Sequence, residues 1–96
     1  MEKIPKIKAV QSIGEARLIV TFESGIKKIY DCGFLLSRPQ FHLLASPAFF
    51  NAVDVDPGGY GISWSDDIDL SEYELWTNGK TVPNQSFKRD ALKRVP

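Results

Sequence analysis

The chain has 96 residues, of which 43% are hydrophobic and 25% are charged, and its formal net charge at pH 7 is zero. This size and balance predict one globular domain with a modest core and exclude a largely disordered chain. The apolar runs reach only four or five residues, far below the roughly 20 that a membrane-spanning helix needs. A single cysteine, Cys32, excludes an intrachain disulfide. It indicates a reducing compartment, so we expect a cytoplasmic protein.

The zero net charge hides an uneven distribution along the chain. Residues 1–79 carry seven Lys or Arg and eleven Asp or Glu, whereas residues 80–96 carry five basic residues and one acid. We therefore predict one acidic domain over residues 1–79 and a basic tail over residues 80–96, which is either disordered or a short helix. Dedicated nucleic-acid-binding proteins usually have a basic excess, so neutrality argues against that class.

The first third of the chain predicts a three-stranded antiparallel meander. Residues 4–13, 16–22 and 26–31 are rich in β-branched and aromatic side chains, and turn-forming residues separate them. Alternation along the second strand directs three apolar side chains toward the core: Leu18, Val20 and Phe22.

Short helices and a hairpin follow in the middle of the chain. Ser37 before Arg38-Pro39, and Ser46 before Pro47, resemble helix starts with Ser at the N-cap and Pro in the first turn. Residues 53–56 alternate Val with Asp, which predicts a half-buried strand. Residues 57–59, Pro-Gly-Gly, predict a tight turn, and residues 61–64 return as the partner strand.

The last predicted element of the domain is a helix with clear end signals. Ser71 followed by Glu74 matches a capping box, and Asn78-Gly79 predicts a left-handed C-cap. The predicted fold class is therefore α+β. It comprises a three-strand antiparallel meander, short helices, a two-strand hairpin, a short C-terminal helix and the basic tail.

Clustered aspartates are the first candidate for chemistry. The cluster comprises Asp54, Asp56, Asp66, Asp67 and Asp69. Neighbouring carboxylates can bind hard cations or perform acid–base catalysis. The calcium-loop pattern fails, because the twelfth position counted from Asp54 is Ser65 instead of Glu. The favoured interpretation is a solvated strand face and an acidic loop near the N-terminus of the last helix.

Other catalytic patterns are missing from the sequence. His42 is the only histidine and has no nearby Cys or second His that would complete a zinc site. Cys32 is predicted to be a small core residue. No Ser lies in a Gly-x-Ser-x-Gly elbow, and the glycines at Gly58, Gly59 and Gly61 match no phosphate-binding loop. We predict no catalytic residue, no metal site and no cofactor.

The basic tail is the second candidate contact surface. Its basic residues beside apolar neighbours are Lys88, Arg89, Lys93 and Arg94. An amphipathic segment of this kind could bind a groove on a partner protein or the phosphates of a nucleic acid. The favoured alternative is a frayed terminus without a binding role.

Taken in order, the apolar and turn positions resemble the bacterial family called Domain of Unknown Function 2442. The resemblance spans roughly residues 5–76 and rests on Leu18, Val20, Phe22, Gly25, Asp31, Leu36, Phe41, Leu44, Phe49 or Phe50, Val53, Val55, Asp56, Ile62, Trp64, Asp69, Leu70 and Leu75. It implies a small α+β protein of a prokaryotic cytosol without assigned catalytic residues. Members often lie beside another small protein in arrangements like toxin–antitoxin pairs, which implies a partner-binding or regulatory role. The tail is too short for the helix-turn-helix segment of some members.

Three functions remain open at this point. The first is a non-enzymatic module that binds a small partner protein, in the manner of an antitoxin. The second is a regulator that binds nucleic acid weakly through the tail, and the third is a small metal-dependent hydrolase that uses the aspartates. An unpaired edge strand could also join two copies of the chain into a homodimer.

Overall fold

The computed structural model describes residues 4–83, and the candidate tail residues Lys88, Arg89, Lys93 and Arg94 lie outside that range. Its first three strands are β1 (Ile7–Gly14), β2 (Arg17–Phe22) and β3 (Lys27–Asp31), each antiparallel to the next. This meander confirms the predicted start of the fold, with strand ends shifted by one to three residues.

Two 3-10 helices, Gly33–Ser37 and Pro39–Ala45, follow the meander. Arg38 separates them in an extended conformation (ψ 130°), because a residue that precedes proline avoids the helical region. The short helix predicted around Phe41 is therefore confirmed as a 3-10 helix, but its N-cap is Arg38 and not the predicted Ser37. The predicted start at Ser46-Pro47 is confirmed, since α1 spans Pro47–Phe50.

A second sheet follows, with strand order β4-β5-β6. The predicted hairpin corresponds to β4 (Asp54–Val55) and β5 (Gly61–Ser65), and the intervening Pro57–Gly59 turn is confirmed as one turn of 3-10 helix. The third strand, β6 (Ile68–Ser71), lies in a segment that we had assigned to a loop. Its alternation of buried and exposed residues is the strand signal that the acidic composition obscured.

The last helix, α2, spans Glu72–Asn78 and begins with the predicted cap, because the Ser71 hydroxyl accepts the Glu74 N–H at 3.1 Å. The predicted left-handed C-cap is wrong, since Gly79 is extended (φ −78°, ψ 155°). Glycine is needed there for space, because a Cβ atom would lie 2.6 Å from the Leu75 carbonyl oxygen.

The extended Gly79 leads the chain directly into β7 (Lys80–Thr81). This strand pairs antiparallel with Lys28 and Ile29 of β3, which gives the first sheet the order β1-β2-β3-β7. Lys80 and Thr81, which we had placed in the tail, are therefore part of the sheet.

One hydrophobic cluster contains side chains from both sheets and from the helices. The predicted core residues Leu18, Val20 and Phe22 are fully buried. Burying each such side chain contributes about 1.5–3 kcal/mol to folding. At the other end of the cluster, the buried Trp64 indole N–H donates to the Phe50 carbonyl oxygen at 2.9 Å. No helix within residues 4–83 has the length and hydrophobicity to cross a membrane.

Candidate functional site

The five candidate aspartates do not converge on one point. Asp54 of β4 and Asp69 of β6 both lie opposite Ser63, the central residue of the three-stranded sheet. Because adjacent strands are about 4.8 Å apart, the backbones of these two aspartates are separated by roughly 10 Å. The two aspartates are therefore not direct cross-strand neighbours, because Ser63 lies between them.

The remaining three aspartates lie beside Ser63 or in the turn that follows its strand. The Asp56 carboxylate accepts a hydrogen bond from the Ser63 hydroxyl, and Asp66 and Asp67 form the turn between β5 and β6. Within residues 4–83, no group of three or more His, Cys, Asp or Glu side chains is arranged to hold a metal ion.

The other two reactive side chains lie in different environments. Cys32 is fully buried, and this burial raises the pKa of its thiol from 9.0 to about 12, so the thiol is protonated at neutral pH. His42 is exposed, and its Nδ1 atom lies 2.9 Å from the Pro39 carbonyl oxygen. A carbonyl can only accept, so Nδ1 carries the proton in this contact.

Two neighbouring cavities share the side chains of Tyr30 and Phe34 as a common wall. The larger cavity, of about 580 Å³, lies where β3 extends past the end of β7. Its other lining residues include Arg17, Ile29, Asp31, Asn78 and Lys80. The smaller cavity, of about 350 Å³, lies between the 3-10 helices and the start of α2. Its other lining residues include Arg38, Phe41, Asp69, Leu70 and Glu74. We call the two cavities together the Phe34 groove.

Phe34 stands between the cavities with 54% of its surface exposed. Its ring packs on that of Tyr30 with the centroids 6.1 Å apart, and Tyr30 itself is buried. The predicted fold gives no reason for a large aromatic side chain to face water at this position. An exposed aromatic on a rigid support is typical of a contact residue in a protein interface.

A partly buried polar contact lies beneath the groove. The Tyr30 hydroxyl donates to Glu74 Oε2 at 2.7 Å, and Asn78 Nδ2 donates to the same oxygen at 3.0 Å. Burial, followed by the hydrogen bond and the negative charge of Glu74, raises the pKa of Tyr30. This network connects β3 to α2 and fixes the position of the wall that carries Phe34.

Of the two basic residues in the larger cavity, Arg17 has one ion-pair partner and Lys80 has none within residues 4–83. Arg17 lies directly opposite Asp31 in the β2–β3 pair, but the Asp31 carboxylate instead accepts the Gly33 N–H at 2.8 Å. The nearest carboxylate to the Arg17 guanidinium is that of Glu15, at 3.8 Å. Within residues 4–83, Arg17 Nε is buried without any hydrogen-bond acceptor.

A third cavity, of about 530 Å³, lies between the β1–β2 turn and the 3-10 segment. Glu15 is the single charged side chain in its lining, and the rest of the lining is mainly apolar. The turn itself contains two residues with positive φ, Glu15 at 52° and Ala16 at 60°. This cavity offers few polar groups that could orient a ligand.

Sequence reasoning missed the Phe34 groove. Its residues come from β2, β3, the 3-10 segment, β6, α2 and β7, so no short motif contains them. We had assigned no role to Phe34, and we had considered Glu74 only as a capping residue. The available signal was weak: an aromatic residue in a segment without helix or strand periodicity.

A family model described as "Protein of unknown function (DUF2442)" matches residues 7–81. The matched segment begins with β1 and ends with β7, so it includes every strand of both sheets. No curated protein and no solved structure gives a significant match. The match covers well over half of the chain and agrees with the resemblance noted in its residues. The chain belongs to the DUF2442 family.

Proposed function

We propose that this protein is a non-enzymatic binding module that holds a small partner protein in the Phe34 groove. The observation that carries the proposal is the exposed Phe34 ring between two cavities. A partner could place one side chain in each cavity and cover the ring between them. Aromatic anchors that fit such pockets contribute most of the binding energy in many protein interfaces.

The charges around the groove support a protein partner over a nucleic acid. Arg17, Arg38 and Lys80 line the cavities, but so do the acids Asp31, Asp69 and Glu74. Exposed aromatic rings can stack on bases, but single-strand binders place them in a groove of predominantly positive charge. Mixed charges instead allow complementary pairing with a polypeptide and improve its selectivity.

The arrangement of acidic residues supports binding over hydrolysis. Asp54 and Asp69 extend from strands on either side of β5, and Asp56 is hydrogen bonded to Ser63. An antitoxin-like role would require only that this protein bind the partner and cover the active surface of the partner. The cytoplasm is the proposed location, because a reducing environment suits a protein with one buried thiol.

Site-specific photo-crosslinking tests this proposal. A benzophenone amino acid replaces Phe34 in one variant and Tyr60 in a matched control, because Tyr60 is similarly exposed (61%) and lines none of the three cavities. Both variants are expressed in the native host and irradiated. We expect one discrete protein adduct from position 34 and none from position 60.

Other adducts would identify a different occupant of the Phe34 groove. An adduct that nucleases remove would favour the nucleic-acid alternative, and an adduct at twice the mass of the chain would identify a second copy as the occupant. Equal adducts from both positions, or no adduct at position 34, would contradict a specific binding groove at Phe34.

A further inference from the structure

We infer that the larger cavity of the Phe34 groove binds a carboxylate of the partner, held between Arg17 and Lys80 with an apolar side chain beside it. This inference rests on the proposed binding function and specifies the chemistry that the groove recognises. It concerns residues of β2 and β7, which come together only in the folded chain.

The hydrogen-bonding state of Arg17 is the first supporting observation. A guanidinium group has five N–H donors, which usually bind acceptors when they are partly buried. In residues 4–83, Nε has no acceptor, and the one carboxylate near the group lies at 3.8 Å on the exposed Glu15 side chain. The Arg17 side chain is 41% exposed at the cavity. Nε itself is closed off from a ligand, so a ligand carboxylate would accept hydrogen bonds from the exposed part of the guanidinium group.

The engagement of Asp31 is the second observation. Its position opposite Arg17 would normally produce a cross-strand ion pair, which is a common stabilising contact in antiparallel sheets. Asp31 Oδ1 instead accepts the Gly33 N–H, which caps the turn into the first 3-10 helix. The carboxylate that would satisfy Arg17 is therefore used to hold the backbone.

Lys80 provides a second cation on the cavity wall. The Arg17–Glu15 contact is the single ion pair found within residues 4–83, so Lys80 has no carboxylate within ion-pair distance in this part of the chain. With Arg17, Lys80 and Asp31 all in the lining, the formal charge of the cavity is +1. A singly charged carboxylate is repelled less by Asp31 and Glu15 than a doubly charged phosphate would be.

The other lining residues of the larger cavity determine which part of a ligand can lie next to the carboxylate. Ile29 and Phe34 line the same cavity, and Asn78 adds an amide that can donate or accept. A volume of about 580 Å³ is within the range of small-ligand sites. The cavity therefore suits the terminal residue of a peptide, or an acidic side chain preceded by an apolar residue.

Short peptides test the inference without knowledge of the partner. The full chain, labelled with ¹⁵N, is titrated with acetyl-Gly-Leu that has a free carboxylate, and with the same peptide as an amide. A third peptide, acetyl-Leu-Asp-amide, carries the carboxylate on a side chain. We expect shifts of the Gly33, Phe34 and Lys80 amides with at least one acid peptide, and about ten-fold weaker binding of the neutral amide.

The three peptides and inorganic phosphate separate the sources of the anion. Tighter binding of acetyl-Gly-Leu would identify a chain terminus, and tighter binding of acetyl-Leu-Asp-amide would identify an acidic side chain. Equal binding of acid and neutral peptides would overturn the inference, as would binding of phosphate in preference to both acids.

Variants assign the effect to the named cations. Arg17→Gln and Lys80→Gln should each weaken binding of the acid peptide about ten-fold, whereas the matched control Lys8→Gln, an exposed position on β1, should not. Arg17→Lys keeps the charge but loses the planar fork, so an intermediate loss is expected. If Lys8→Gln weakened binding as much as Arg17→Gln did, the binding would be explained by general electrostatic attraction and not by a specific site.

Failure of this inference can be distinguished from failure of the proposed function. If the position-34 crosslinker captures a protein and Arg17→Gln leaves the yield of that adduct unchanged, the groove binds a partner but does not recognise its carboxylate. If no protein is captured while the acid peptide binds through Arg17, the carboxylate site stands and the protein-binding function fails.

Discussion

The Tyr30 hydroxyl donates a 2.7 Å hydrogen bond to Glu74 Oε2 across 44 residues of sequence. This contact connects the central meander to the last helix directly behind the exposed ring of Phe34. Its loss would affect both the stability of the fold and the shape of the groove.

Tyr30→Phe removes the hydroxyl and retains the buried ring. Because Glu74 is a charged acceptor, we expect the free energy of unfolding to fall by about 1–2 kcal/mol. Urea denaturation measures the change. Tyr73→Phe is the matched control, since Tyr73 is 62% exposed and should shift the stability by less than about 0.5 kcal/mol. Equal effects of the two substitutions would contradict a structural role for the Tyr30–Glu74 contact.

Stability should decline at alkaline pH because two buried groups hold their protons more tightly in the folded state. The pKa of Cys32 rises from 9.0 to about 12 through burial and the nearby Asp31 charge, and the pKa of Tyr30 is also raised. Above pH 9 the unfolded chain loses these protons first. The free energy of unfolding then falls with rising pH, by up to about 1.4 kcal/mol per unit for each group.

The contribution of the thiol can be isolated with Cys32→Ala. Urea midpoints are compared at pH 8 and pH 10.5 for both proteins, so that titration of surface lysines affects both equally. The substitution lowers stability at pH 8 by creating a small cavity, but its decline between the two pH values should be shallower. Parallel declines would show that the Cys32 thiol does not titrate differently in the two states.

Leucines at two depths provide a direct test of the core. Leu18 is fully buried, whereas Leu43 is 44% exposed on the second 3-10 helix. Leu18→Ala should destabilise the fold by about 2–5 kcal/mol, because it leaves a cavity that the surrounding strands cannot fill. Leu43→Ala should cost less than about 1 kcal/mol. Thermal or urea unfolding measures both changes. Similar losses of stability for the two variants would contradict the position of Leu18 in the core.

Divalent cations should leave the stability unchanged. The five candidate aspartates are spread along a sheet face and a turn. Within residues 4–83, no three of them come together to form a metal site. Any cation that binds the folded state raises the melting temperature by mass action. Melting curves with and without about 5 mM Mg²⁺, Mn²⁺ or Ca²⁺ should therefore agree within about 1 °C. A clear upward shift would restore the hydrolase hypothesis.

The first strands and the N-cap of α2 could be predicted because their signals are local. Alternation along β2 identified the three core residues, and the Ser71–Glu74 spacing identified the start of α2. The extended Gly79 could not be predicted, since its conformation depends on contact with the Leu75 carbonyl oxygen and on the pairing of β7 with β3.

The groove could not be predicted for a related reason. Its charges and aromatic rings are adjacent only after β2, β3 and α2 have packed, and each residue has an ordinary interpretation in its own segment. Phe34 resembles any core phenylalanine in the sequence, and its exposure results from where the 3-10 helix leaves the sheet.

The late position of β7 in the chain has a consequence for the order of assembly. The hairpins of β1, β2 and β3 close over short turns, whereas Lys80 must return to Ile29 across about fifty residues. Closing so long a loop is slow relative to forming a hairpin. During synthesis on the ribosome the meander can form first, but the cavity wall that contains Lys80 is completed last. A nascent chain would therefore gain its full capacity for a ligand only after Lys80 has emerged and paired with Ile29.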